Sequence, residues 1–187
     1  MAIRMLLIDD NRDQVAITTR VLGQLDMRFL IDAASTAQEG LDKVNITTYD
    51  LILCDYRLPD LSGLEMLKRL KASGKDTPFI LATAAGNERL VVDAMQLGAS
   101  DYVVKDFSYN EVLPKIIRQV LERYQERKER ERLEAERNEA IEALKKEKAA
   151  LEKMNNTMLN REGRILELKQ EINALLREFG RSPKYQA

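Results

Sequence analysis

Over the first 124 residues the apolar positions fall into two alternating patterns. Short aliphatic runs at 5–8, 29–33, 51–54, 79–82 and 102–104 are separated by longer segments at 14–25, 37–44, 64–70, 89–97 and from 111 onward. The longer segments place apolar residues three and four apart. The pattern predicts five strands alternating with five helices. The runs are apolar at successive positions, so both faces of each strand are buried. That is the mark of a parallel sheet covered by helices on both sides, an α/β doubly wound fold.

Beyond residue 124 the period changes to seven. With Leu144 at an a position, the a series reads Leu144, Leu151, Met158, Ile165, Ile172 and Phe179. The d series reads Ala140, Glu147, Met154, Arg161, Leu168 and Leu175. A seven-residue repeat sustained this long predicts a helix whose seam winds around a partner helix, because a straight surface helix drifts off a strict 3.5 period. Glu147 and Arg161 interrupt the seam and lower its stability. Upstream, residues 122–137 carry six acidic and six basic side chains, many four apart, which supports a solvated helix leading into the coil. Gly180 and Pro183 end it. The expected division is a globular unit over 1–124, a coiled-coil extension of the last helix over 125–180 and a flexible tail over 181–187.

Composition removes whole classes of chemistry. The chain has no histidine, which excludes histidine metal ligands, Ser-His-Asp triads, Cys-His pairs and a phosphohistidine donor in this sequence. Its 30 basic residues against 31 acidic ones argue against a protein that coats nucleic acid or an anionic membrane surface. One cysteine, Cys54, allows no internal disulfide. Because it lies on a buried strand, it reads as core packing. No apolar run approaches the ~20 residues of a spanning helix, and no secretory leader is legible, so a cytoplasmic location is expected.

Ligand sites in such sheets lie outside the carboxyl ends of the strands. There the sequence places Asp9 and Asp10 after the first strand, Asp55 after the third, Thr83 after the fourth and Lys105 after the fifth. Three carboxylates repel one another unless a cation lies among them, and a hard divalent ion such as Mg²⁺ matches oxygen donors. One carboxylate is then left to act as a nucleophile toward a phosphoryl group, with Lys105 balancing charge and Thr83 donating a hydrogen bond. The acidic turn Asp9-Asp10-Asn11 lacks the glycines of a dinucleotide site and the Asp-x-Asp spacing of a dehalogenase-type phosphatase. Asp10 or Asn11 is also placed to cap the first helix.

At these residues the sequence resembles the response-regulator receiver family of two-component signalling. MLLIDDNRD, LILCDYRLPDLSGLEML, ILATAAG and GASDYVVKDF occur in the family's order and spacing, over about residues 3–123. The resemblance implies a flavodoxin-like strand order 2-1-3-4-5 and Asp55 as the site of phosphoaspartate formation. It implies Asp9 and Asp10 as the acidic pair around Mg²⁺, with Asp10, the Asp55 carboxylate and the Arg57 backbone carbonyl as direct ligands. Thr83 would be the switch hydroxyl, Lys105 the phosphate-binding lysine and Tyr102 the switch aromatic. Gly63 matches the turn into the third helix, and Ala84 is small as an open phosphate site requires. Asp106 stands where the family has a proline, typically after a cis bond. A cis bond before a residue other than proline costs roughly 2.5–4 kcal/mol.

Residues 155–185 are also similar to helical segments that join receiver or sensor modules to histidine kinases, as if the linker were kept without its cargo. The expected function is a single-receiver response regulator, not itself a conventional enzyme, phosphorylated by a sensor histidine kinase or phosphotransfer protein. It would signal to an unidentified downstream protein through protein contacts and coiled-coil dimerisation, without a DNA-binding output domain. A structural coiled-coil adaptor whose receiver serves mainly for docking is the alternative. A fragment of a larger kinase is a third reading.

Overall fold

The computed structural model describes residues 2–84 and 88–185. Ala85 and Gly86, part of the fourth-strand motif, lie outside them, as do Gln186 and Ala187. The first unit, residues 1–128, contains β1 (Ile3–Ile8), α1 (Arg12–Gly23), β2 (Phe29–Ala34), α2 (Ala37–Ile46), β3 (Leu51–Asp55), α3 (Gly63–Ala72), β4 (Phe79–Thr83), α4 (Glu88–Gln96), β5 (Asp101–Val104) and the start of α5 (Tyr109–Glu178). The five strands are parallel in the order β2-β1-β3-β4-β5.

Alternation along each strand feeds two separate cores. Leu6, Ile8, Ile52, Cys54, Phe79 and Leu81 pack with Val44, Met66, Leu67, Leu70 and Leu90 of α2, α3 and α4. Met5, Leu7, Leu51, Leu53, Ile80 and Ala82 pack with Leu22 of α1 and Leu113, Ile117 and Val120 of α5. Burying such side chains contributes about 1.5–3 kcal/mol each. It explains the successive apolar positions of β1, β3 and β4, whereas β2, at the edge of the sheet, is not buried on both faces as expected and leaves Leu30 about half exposed.

Local chemistry sets the helix ends. The Asn11 side chain caps α1 by accepting from the amides of Asp13 and Gln14, which starts the helix at Arg12, two residues earlier than periodicity alone suggests. Ser62 caps α3 through the Glu65 amide. Pro114 lies inside α5.

The first unit runs to Lys128, where Arg127 and Lys128 both reach Asp76 before β4, at 2.8 and 2.9 Å. In the second unit, 129–187, α5 runs to Glu178 and its seam is open, with Leu144 64% and Phe179 76% exposed. Gly180 adopts a φ of 68° and the Arg181 amide donates to the Leu176 carbonyl, a left-handed helix stop. Residues 181–185, expected as part of a flexible tail, fold back on Asn173. Its amide oxygen accepts from the Lys184 and Tyr185 amides and its nitrogen donates to the Tyr185 carbonyl.

Candidate functional site

The carboxyl edge of the sheet gathers the charged residues because neighbouring strands are in register. Ile8 pairs with Cys54, Asp55 with Ala82 and Thr83 with Val104. Asp9, the next residue on β1, therefore emerges level with Asp55, and Lys105 follows two residues beyond Val103, which lies at that level on β5. Lys105 Nζ lies 2.7 Å from Asp9 Oδ2 and 2.5 Å from Asp55 Oδ1, bridging carboxylates 46 residues apart in sequence (55 − 9). The other oxygens of both carboxylates are also engaged. The Asn11 amide donates to Asp9 Oδ1 and the Arg57 amide donates to Asp55 Oδ2, both at 3.0 Å.

Burial makes these contacts count. Asp9 is 5% exposed, and the Lys105 side chain is mostly enclosed. Burial works to lower the lysine pKa, but hydrogen bonds and attraction from Asp55 and Asp9 outweigh it and hold the ammonium above its ordinary value. Asp10 is solvent-exposed, yet one oxygen each of Asp9, Asp10 and Asp55 lies within 4.8 Å of the others. Three negative charges face the single bridging ammonium, and all three donors are hard oxygens. This set fits a divalent cation such as Mg²⁺.

The loop after β3 is built around the carboxylate. Arg57 and Ser62 form an isolated antiparallel bridge, and the Gly63 amide donates to the Tyr56 carbonyl at 2.9 Å. Gly63 begins α3 directly against β3. A Cβ there would lie 2.5 Å from the Asp55 carbonyl oxygen and 2.8 Å from Leu81 Cδ1. Glycine is thus required by close approach to the site's own backbone.

The remaining candidate residues sit differently. Thr83 is buried at the end of β4, and its hydroxyl donates to the Ala84 carbonyl at 3.2 Å. Tyr102 is half-buried and packs against the core on the α2–α4 side of the sheet. The fully buried Cys54 thiol is pushed well up in pKa by burial and then by the Asp55 charge, as a core residue should be.

The bond between Lys105 and Asp106 is trans, since no peptide bond among the described residues is cis. Asp106 instead lies in the turn that precedes α5. Its carboxylate accepts from the Ser108 amide at 2.8 Å and the Ser108 hydroxyl at 2.6 Å, contacts that lower its pKa. The charge that replaces the family's proline is therefore engaged within the turn that leads into α5.

Two residues around the site carried no sequence signal. Asp60, in the β3–α3 loop, accepts from the Ala37 and Gln38 amides at 2.9 and 2.8 Å and so ties that loop to the start of α2. Tyr109, the first residue of α5, is buried and shares a 3.0 Å hydrogen bond with Thr18 of α1.

Comparison with known proteins agrees with this geometry. Residues 5–118 match the response regulator receiver domain family. The transcriptional regulatory protein DltR of Streptococcus agalactiae is 34% identical over 113 residues, covering 60% of this chain and 50% of that protein. CusR of Escherichia coli, also a transcriptional regulatory protein, is 31% identical, covering 60% of this chain and 49% of that one. This chain thus spans about half the length of these curated relatives. Among solved structures, the BeF3-activated DrrB receiver domain is similar with a TM-score of 0.56 at 27% identity, covering 65% of this chain and 99% of that one. A CheY-like receiver domain protein from Methanospirillum hungatei gives 0.58 at 27% identity, covering 67% and 99%. With the family match spanning more than half of its residues, the chain belongs to the response-regulator receiver family of two-component systems.

Proposed function

We propose that this protein is a response regulator whose receiver takes a phosphoryl group on Asp55 from a histidine kinase or phosphotransfer protein, with output through protein contacts and dimerisation of the α5 coil. The observation that carries the reading is the Lys105 bridge between Asp9 and Asp55, with Asp10 completing the acidic cluster. An Asp55 carboxylate oxygen attacks phosphorus of a phosphohistidine. The P–N bond breaks as the P–O bond forms, and the departing imidazole takes a proton from solvent. The donor histidine comes from the partner, because this chain has none.

Asp9, Asp10, the Asp55 carboxylate and the Arg57 backbone carbonyl would hold Mg²⁺, which when bound offsets negative charge on the transferred group. Lys105 already touches Asp55, so its ammonium needs only a short movement to pair with a phosphoryl oxygen. The Thr83 hydroxyl exchanges the Ala84 carbonyl for another phosphoryl oxygen, and Tyr102 on the neighbouring β5 follows by repacking. Such a change biases an existing equilibrium of the β4–α4 and β5–α5 region.

The sequence after the receiver is a helix with a heptad seam, so the signal this segment can deliver is helix–helix contact. Its location would be cytoplasmic, and no helix among the described residues is long and apolar enough to cross a membrane. Labelling by acetyl phosphate with Mg²⁺ tests the site. Asp55→Asn should abolish it, and undiminished labelling of that variant would overturn the assignment.

A further inference from the structure

The second unit presents a seam that two charged residues make directional. Leu144, Leu151, Met154, Met158 and Leu175 are each more than half exposed along one helix, an apolar stripe that calls for a cover. Two d positions in it are charged, Glu147 and Arg161.

In a parallel, in-register pair every d residue meets its own copy. Glu147 would face Glu147 and Arg161 would face Arg161 inside the seam, a desolvated like-charge contact at both layers. The flanks do not compensate. Arg164 at g would face Lys169 at e of the second copy, and no g–e contact from Ala143 to Leu176 joins opposite charges.

An antiparallel pair faces a positions with d positions. Placing Leu133 opposite Phe179 aligns the two apolar ends of the seam, sets Leu144 against Leu168 and brings Met154 against Met158. The same offset puts Glu147 within about one turn of Arg161 on the second copy, twice by symmetry, and brings Lys148 beside Glu162. A shift of one heptad in one direction places Glu126 opposite Phe179. The opposite shift takes Glu147 about three turns from Arg161.

We infer that the seam of α5 is covered by a second copy of this chain running antiparallel, with Leu133 facing Phe179 and Glu147 beside Arg161. The inference rests on the dimeric coil of the proposed function and adds its direction and register. Each copy's first unit then enters the coil from the opposite end.

Cysteine cross-linking of the full chain tests it, with molar mass by light scattering as an independent readout. Leu144→Cys alone should give no cross-linked dimer under mild oxidation, because the two thiols lie about 36 Å apart along the pair. A mixture of Leu144→Cys and Leu168→Cys chains should cross-link after exchange. Cys54 is buried and serves as the unreactive background. Glu147→Arg should weaken dimerisation roughly tenfold, two symmetric contacts being lost, and Glu147→Arg with Arg161→Glu should restore it. A dimer mass with efficient cross-linking of Leu144→Cys to itself would overturn the direction and leave the dimer standing. A single-chain mass at all concentrations would overturn the dimer and the inference together.

Discussion

The two units use the same aliphatic residues and leave them in opposite states. In the receiver, Leu6, Leu53, Leu67 and Phe79 are sealed from water, because strand and helix faces supplied by one chain close on each other. In the extension, Leu144, Leu151 and Leu175 stay more than half exposed, because a heptad seam on a single helix has no second surface to meet. Burial in the first unit is a property of the chain. In the second, on the proposed dimer, it would be a property of concentration, with stability there inseparable from assembly.

The sharpest way to break that contrast is to truncate one leucine in each unit. Leu67→Ala should cost about 2–5 kcal/mol of receiver stability, read as a lower denaturant midpoint, with the dimerisation constant unchanged. Leu151→Ala should do the reverse, raising the dissociation constant while leaving the receiver's midpoint in place. A loss of receiver stability in Leu151→Ala would show that the units are not separable.

Next in size is Gly63→Ala. A methyl group 2.5 Å from the Asp55 carbonyl must displace backbone, so the receiver should lose about 1–3 kcal/mol and label more slowly on Asp55, with no change in oligomer mass. Unchanged stability would mean that the β3–α3 loop has slack the packing does not show.

A smaller effect follows from Lys105. Its pKa is raised in the folded chain, so the bridge contributes fully below the ordinary lysine value of about 10.4 and is lost as pH rises through the folded value. Through this group receiver stability should therefore not vary with pH near neutrality and should fall in strong alkali. Lys105→Met should flatten that alkaline limb, which a series of denaturation curves would read directly.

The smallest change is Asp60→Ala, which removes two amide contacts at the exposed start of α2 and should cost about 1 kcal/mol. Its pKa is lowered: partial desolvation opposes the charge, but the Gln38 and Ala37 amides outweigh it. That contribution is present above the ordinary aspartate range and is lost as pH falls through the lowered value, so the variant should differ from the parent least in acid.

These residues also show what could be read without coordinates. The parallel sheet and the meeting of Asp9, Asp55 and Lys105 followed from apolar runs ending in charge, since parallel strands deliver their ends to one edge, whereas the strand order came from the family resemblance. Element ends shifted by a residue or two where a side chain intervened, as Asn11 did for α1. Asp60 was not legible, because its partners lie 22 and 23 residues away across a loop whose path no local pattern encodes. The Thr18–Tyr109 bond, spanning 91 residues, and the grip of Asn173 on Tyr185 are hidden for the same reason. The trans bond before Asp106 and its engagement with Ser108 needed the backbone itself.

Hydrogen exchange on the full chain across a concentration series tests the contrast between the units most directly. Amides of β1 and β3 should be equally protected at every concentration, while those of residues 144–175 should gain protection as concentration rises through the dimerisation constant. Protection of 144–175 that does not change with concentration, in a chain whose mass stays that of one copy, would contradict the account.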